Sequence, residues 1–358
     1  MQLDHIHRGN ALDILKTFPD ESVQTCITSP PYWGLRDYGV AGQLGLEEDP
    51  DEYLSIMVEI FREVRRVLRS DGTAWVNMGD SYAGYWGDNY AHKPFGRDRA
   101  PDESTPPSRP SFNFSASHIK PKDMIGMPWR LAFALQADGW YLRQDIIWHK
   151  LQAMPESVRD RCTKAHEYVF LLSKSKRYYY DQDAIKERAS TETHARYARG
   201  RSDEGAGVNP KAGQNPVRGW QSGKGAHSVL NHNQDRKEET KFPQPKQNSS
   251  FSDAVKDVVE YRNKRSVWPI SPEPFPGSHF ATFPQKLIRP MILAGAPPDG
   301  VVLDPFMGSG TVAVVALKSD RHFVGIELNP SYIDMAWNRI EQEVCTLFLN
   351  EEVRSAYR

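Results

Sequence analysis

An α/β fold with a mostly parallel sheet covered on both faces is predicted by three features of this 358-residue chain. Strand-like and helix-like segments alternate near both ends, and such βαβ alternation favours a parallel sheet between helical layers. A turn carrying Gly308 and Gly310 separates a strand-like run from a helix-like run near the C-terminus. A strand-like run near the N-terminus stops abruptly at Pro30-Pro31.

In chain order, Val23 to Thr28 is β-rich and ends at Ser29-Pro30-Pro31. From Pro50 to Arg69, Tyr53, Met57, Ile60, Phe61, Val64, Val67 and Leu68 keep a 3.6-residue period, and Asp71-Gly72 ends the helix. Thr73 to Asn77 reads as the next strand. Residues 81 to 121, crowded with Gly, Pro, Ser and charged residues, read as a long surface loop. A helix is expected over Pro128 to Ala137, then strands over Trp140 to Trp148 and Glu167 to Leu172, with Tyr178-Tyr179-Tyr180 pairing nearby. Val301 to Asp304, a helix from Thr311, a strand Phe323 to Glu327 and a helix from Pro330 form a second βαβ unit. There is no internal repeat.

Composition bounds the function. Lys and Arg number 45 against 46 Asp and Glu, a net charge of −1, so a nucleic-acid partner would need locally clustered charge. Residues 186 to 265 supply such a cluster, with 16 Lys and Arg against 10 Asp and Glu and few apolar residues. This stretch cannot bury much apolar area and is flexible or ordered by a partner. The expected organisation is therefore three segments: 1–185, an insertion at 186–265, and 266–358. Cys26, Cys162 and Cys345 are odd in number and widely spaced, which speaks against a disulfide framework or a zinc cluster. His5 and His7 share a strand face without further ligands, and no metal is expected. The first residues lack a signal-peptide pattern, and no apolar run nears the ~20 residues that span a bilayer. A soluble, cytoplasmic protein without a membrane partner is expected.

Two constellations carry chemistry. Asp304-Pro305-Phe306-Met307-Gly308-Ser309-Gly310-Thr311 lies between a strand and a helix, where open parallel sheets bind ligands. Gly308 and Gly310 would let the backbone pass close to a ligand. The spacing is neither GxGxxG nor a phosphate loop, and Glu327 ends the next strand, where a carboxylate can hold both ribose hydroxyls. A nucleoside that needs no phosphate cradle fits, and S-adenosylmethionine is such a ligand.

The second constellation is Thr28-Ser29-Pro30-Pro31-Tyr32-Trp33. The prolines stiffen the loop and have no N–H, which leaves its carbonyls free to accept. Tyr32 offers a face for a planar base. The lone pair of an aromatic amine is delocalised into its ring, so acceptors around its N–H groups favour a more tetrahedral, nucleophilic nitrogen. The Ser29 hydroxyl and the Pro30 carbonyl are the candidate acceptors, and positioning would carry most of the catalysis.

Together these residues resemble the DNA amino-methyltransferases that modify N4 of cytosine or N6 of adenine. The motif order, catalytic before cofactor, is similar to the circularly permuted β group of that family. The resemblance implies a Rossmann-like S-adenosylmethionine-dependent methyltransferase fold with a target-recognition region at 186–265. It also implies that Asp304, Pro305, Phe306, Gly308, Ser309, Gly310 and Thr311 line the cofactor and that Glu327 holds its ribose. Thr28 and Asn10 would lie close by; the family often has Asp where Asn10 stands. His279, Phe280, Thr282 and Phe283 would sit near the methionine end. Ser29, Pro30, Pro31 and Tyr32 would form the catalytic loop.

In that family, Ser at the head of the motif leans to N4 of cytosine, whereas Asp or Asn leans to N6 of adenine. Methylation at carbon 5 needs a Cys nucleophile, typically after Pro, and no cysteine here follows a proline. The partner would be double-stranded DNA, with the target base extruded into the pocket. Trp33, Arg36, Tyr38, His149 and Lys150 are candidate DNA contacts. The resemblance leaves open a cognate restriction endonuclease and a monomeric or homodimeric state. The rival readings are an RNA or protein amide methyltransferase and an inactive DNA-binding scaffold. Motif order opposes the glutamine methyltransferases of release factors, and the intact motifs oppose an inactive scaffold.

Overall fold

The computed structural model describes residues 1–35, 37, 39–83, 119–120, 122–153, 155–189, 261–273 and 283–345. The chain divides into two compact units, one of 1–185 with 264–358 and the other of 186–263. Among the described residues ten strands run in the order β1 (His5–Arg8), β2 (Val23–Thr28), β3 (Leu68–Met78), β4 (Tyr141–His149), β5 (His166–Ser173), β6 (Glu187–Arg188), β7 (Tyr261–Arg262), β8 (Val267–Pro269), β9 (Val301–Asp304) and β10 (His322–Glu327). Among the described residues six α-helices accompany them: α1 (Ala11–Leu15), α2 (Pro50–Val67), α3 (Met127–Ala137), α4 (Gln285–Gly295), α5 (Thr311–Leu317) and α6 (Pro330–Ile340).

Eight strands form one sheet in the order β1-β10-β9-β2-β3-β5-β4-β8. Pairing is parallel except where β5 runs antiparallel between β3 and β4. All six residues of β2 are buried, as a central parallel strand covered on both faces requires. The short β6 and β7 pair antiparallel within the other unit.

The chain leaves β9 through α5 to reach β10 on one side, and leaves β2 through α2 to reach β3 on the other. Right-handed crossovers in opposite directions place α5 and α2 on opposite faces. Accordingly α1, α2 and α3 pack in one apolar layer and α4, α5 and α6 in the other. The gap between the C-terminal ends of β9 and β2 is a topological switch point, where open α/β sheets bind ligands.

Helix α2 shows how pattern becomes structure. Asp49 caps it by accepting from the Asp51 N–H at 2.8 Å, and Pro50 occupies the first turn. Tyr53, Met57, Ile60, Phe61, Val64 and Val67 are all buried on one stripe. The helix stops at Val67, before the expected Arg69, because Leu68 is already extended at φ −67°, ψ 140° and opens β3. Tyr178 to Tyr180 form no strand; the Tyr179 N–H makes one backbone bond, to Asp71 O at 2.9 Å. Most of the loop expected at 81–121 and of the insertion at 186–265 lies outside the described residues.

The Tyr53 ring is wholly buried and its hydroxyl donates to Pro31 O at 2.7 Å, tying α2 to the proline loop. Tyr53→Phe keeps the packing and leaves that carbonyl unpaired, so a loss of about 1–2 kcal/mol is expected. Chemical denaturation would show it as an earlier midpoint; an unchanged midpoint would mean the bond contributes nothing.

Candidate active site

The registers bring the two constellations together. Cys26 of β2 pairs with Leu303 of β9, and Gly325 of β10 with Asp304, so Thr28, Asp304 and Glu327 end adjacent strands. The Thr28 hydroxyl donates to Asp304 Oδ1 at 2.7 Å, and the Phe306 N–H donates to the same oxygen at 3.0 Å. Asp304 Oδ2 is buried without a partner. Burial pushes the Asp304 carboxyl up to about 7, reinforced by the charge of Glu327 and opposed by the bonds from Thr28 and Phe306.

Glu327 accepts from the Gly308 N–H at 2.8 Å and the Asn329 N–H at 2.8 Å, one on each oxygen. Each carboxylate oxygen keeps acceptor capacity for one more donor. Burial raises this carboxyl as well, against those backbone bonds. Asn10 caps α1, its Oδ1 accepting from the Leu12 N–H at 2.9 Å, and it also lines the cleft.

The cleft holds about 1140 Å³ of empty space, part of it open to solvent. Its walls include Gly9 and Asn10, then Ser29, Pro30, Pro31 and Tyr32, then Phe283, Pro305 and Phe306, and finally Gly308 and Glu327. Phe283 is thus at the site, while His279, Phe280 and Thr282 lie outside the described residues.

Ser309 and Thr311 line the cleft, and their hydroxyls also meet Arg339 Nη1, at 3.4 Å and 2.8 Å, which anchors the turn on α6. Gly310 lets the start of α5 pack closely on α6. It has φ +77°, and a Cβ there would lie 2.8 Å from the Ala336 Cβ. Trp33 is buried, 3% exposed, and its Nε1–H donates to Glu47 O at 2.9 Å, which removes its ring from a DNA-facing surface. Lys150 is not free for a phosphate, since its ammonium lies 2.5 Å from Glu167 Oε1. His149 is exposed at the end of β4. Arg36 and Tyr38 lie outside the described residues.

The sequence reading missed Glu167 as a site residue. It is the second residue of β5, and its Oε2 accepts from the Tyr32 hydroxyl at 3.0 Å and from Asn77 Nδ2 at 3.3 Å. Ser29 Oγ lies 3.4 Å from the Tyr32 oxygen. Burial and the Glu167 charge push the Tyr32 phenol well up, so it remains a donor. The signal that existed was the placing of Lys150 and Glu167 near strand ends; only the antiparallel register, with Trp148 opposite Glu167, brings them together. Burial, with the charge of Asp304, also raises the Cys26 thiol, which keeps it from being a thiolate nucleophile. No group of three or more metal-ligating side chains occurs among the described residues, and no described helix is long and apolar enough to cross a membrane.

A family model described as DNA methylase, of the N6/N4 type, matches residues 23–338. The chain belongs to this family. The methylase is 43% identical over 339 residues to the type II methyltransferase M.Cfr9I of Citrobacter freundii, covering 94% of this chain and 88% of that one. It is 42% identical to M.SmaI of Serratia marcescens, covering 93% and 89%. The PvuII DNA methyltransferase, titled cytosine-N4-specific, superposes with a TM-score of 0.53 at 18% identity, covering 92% and 84%. A putative DNA modification methylase of Thermus thermophilus, solved with S-adenosyl-L-methionine, superposes at 0.52 and 20% identity, covering 95% and 94%. These likenesses establish the Rossmann-like methyltransferase fold. The methylase is a DNA amino-methyltransferase. β2 precedes β9 in the chain although the two are neighbours in the sheet.

The folded Asp304 carboxyl binds its proton more tightly than an unfolded one. Its contribution to stability is full below about pH 4 and is lost as pH rises through about 7. Asp304→Asn has no such proton to lose. It should lose less stability than the parent protein between about pH 5 and pH 8, as read from thermal melts, and parallel curves would contradict the raised carboxyl.

Proposed function

We propose that the methylase transfers a methyl group from S-adenosylmethionine to N4 of a cytosine turned out of duplex DNA. Ser29 at the head of the catalytic loop is the observation that carries this reading, because Ser in that place leans to cytosine among the resembling enzymes. The residues at the switch point fit the methyl donor. The unpartnered Oδ2 of Asp304 offers a buried acceptor, Glu327 retains acceptor capacity for two ribose hydroxyls, and Phe283 and Phe306 supply apolar wall. When bound, S-adenosylmethionine supplies the electrophilic sulfonium methyl.

The chain's own residues then act on the base. Tyr32 offers its ring face, and the adjoining Ser29 hydroxyl and Pro30 carbonyl accept from the amino N–H groups. Such acceptors localise the nitrogen lone pair. Because loop and strand are rigid, little reorganisation is needed at the moment of reaction. The proton released from the methylated nitrogen passes to solvent. No covalent enzyme intermediate is required. In this reading Asn10 and Thr28 support the cofactor end, and Arg36, Tyr38 and His149 are offered as DNA contacts.

The experiment is nucleoside mass spectrometry of DNA incubated with the protein and S-adenosylmethionine. N4-methylcytosine is the expected product. N6-methyladenine would overturn the base assignment and leave the amino chemistry intact. Methylation of neither would count against the enzyme itself.

We further propose that residues 186–265 read the target sequence, their excess of Lys and Arg meeting phosphates while a few polar side chains meet base edges. Exchanging residues 190–260 for the corresponding segment of a methyltransferase with another target should move the methylated site to that target, as bisulfite-free sequencing of modified DNA would reveal. Retention of the original site would place recognition elsewhere.

A further inference from the structure

Tyr32 heads a chain of polar contacts that leads from the cleft into the sheet. Its hydroxyl donates to Glu167 Oε2 at 3.0 Å, and its oxygen lies 3.4 Å from Ser29 Oγ. Glu167 is held on both oxygens, Oε1 by the Lys150 ammonium at 2.5 Å and Oε2 also by Asn77 Nδ2 at 3.3 Å. The Glu167 side chain is only 15% exposed and that of Lys150 26%. Lys150 in turn stands 4.6 Å from the centre of the Trp148 ring, so the cation is fixed from two sides. Gly79 makes the arrangement sterically possible, since a Cβ there would fall 2.9 Å from Tyr32 Cε2 and 3.2 Å from Glu167 Cδ.

We propose that Glu167 is a positioning residue that sets the hydrogen-bond polarity of the catalytic loop, so that Ser29 presents lone pairs, not a proton, to the target base. The inference rests on the amino-group chemistry proposed above. A carboxylate only accepts, and the Lys150 ammonium 2.5 Å from Glu167 Oε1 compensates its charge. Tyr32 has one hydroxyl proton and spends it on Glu167. Its oxygen can then only accept from Ser29. Ser29 also has a single proton, directed at Tyr32, which leaves its oxygen as an acceptor. A base that offers an N–H at this point completes the chain. A base with a carbonyl there, as in thymine or uracil, would set lone pair against lone pair and leave both unpaired, which costs binding. Glu167 therefore acts two side chains away from the base yet helps decide which class of base is accepted.

The decisive variant is Glu167→Gln, nearly equal in shape, whose amide can turn an NH2 toward Tyr32 and reverse the chain. Single-turnover methyl transfer is measured on DNA that the parent protein methylates, with S-adenosylmethionine affinity taken by calorimetry. The expected result is a rate loss on the order of 100-fold with cofactor affinity nearly unchanged. Tyrosine labelled with 13C at Cζ gives the second readout, the Tyr32 resonance being identified by its loss in Tyr32→Phe. It should move upfield in Glu167→Gln as the phenol loses its carboxylate acceptor. Wild-type transfer rates in Glu167→Gln, an unmoved Tyr32 resonance, or a rate loss matched by an equal loss of cofactor affinity would each overturn the proposal. Failure of the parent protein itself to methylate any DNA amino group would strike the proposed function and this inference together, so the two failures are distinguishable.

Discussion

The hydrogen bond between Thr28 and Asp304 joins residues 276 positions apart, and the rest of the site is arranged around the strand adjacency that makes it possible. β2 and β9 lie side by side and parallel, so the loops that follow them open at the same end of the sheet. A carboxyl in that position is costly, because burial disfavours its charged form and Glu327 adds repulsion. The bonds from Thr28 and Phe306 offset part of the cost on one oxygen only. A polar group retained at such expense, with its other oxygen unpartnered, is the mark of a binding site and not of a stabilised core.

Around this centre, three elements brace the loops that line the cleft. Tyr53 from α2 binds the Pro31 carbonyl, Glu167 from β5 binds the Tyr32 phenol, and Arg339 from α6 binds the hydroxyls of Ser309 and Thr311. Arg339 is itself held by Glu343 at 2.8 Å, whose carboxyl is lowered to about 2: its bonds to Arg339, Lys318 and Gln285 outweigh the opposing effect of burial. Each brace comes from a regular element with an apolar face in the core. Loops held in this way need little reorganisation when a ligand arrives, which is what catalysis by positioning demands.

The two apolar layers explain why the chain can interrupt itself. The sheet and its helices close their own core from residues 1–185 and 264–358. Among the described residues, neither apolar cluster draws on the segment between. Its composition, rich in charge and poor in apolar side chains, suits contact with a polyanion better than burial.

Much of this was legible in the residues alone. The stripe from Tyr53 to Val67 specifies a helix because a 3.6-residue period is a local property, and the run Val23 to Thr28 ends where two prolines remove backbone donors. The strand–turn–helix around Asp304 and the acidic end of β10 were legible for the same reason, since each is contained in a few consecutive residues. What tertiary structure alone decided is which distant groups meet. The antiparallel insertion of β5 sets Glu167 against Tyr32 and Lys150, α6 brings Arg339 to the hydroxyls of Ser309 and Thr311, and the core takes Trp33 from the DNA side. These outcomes depend on strand order and register across more than a hundred residues, which no short motif encodes, because a hydrogen-bond partner is chosen by proximity in space and not by separation along the chain.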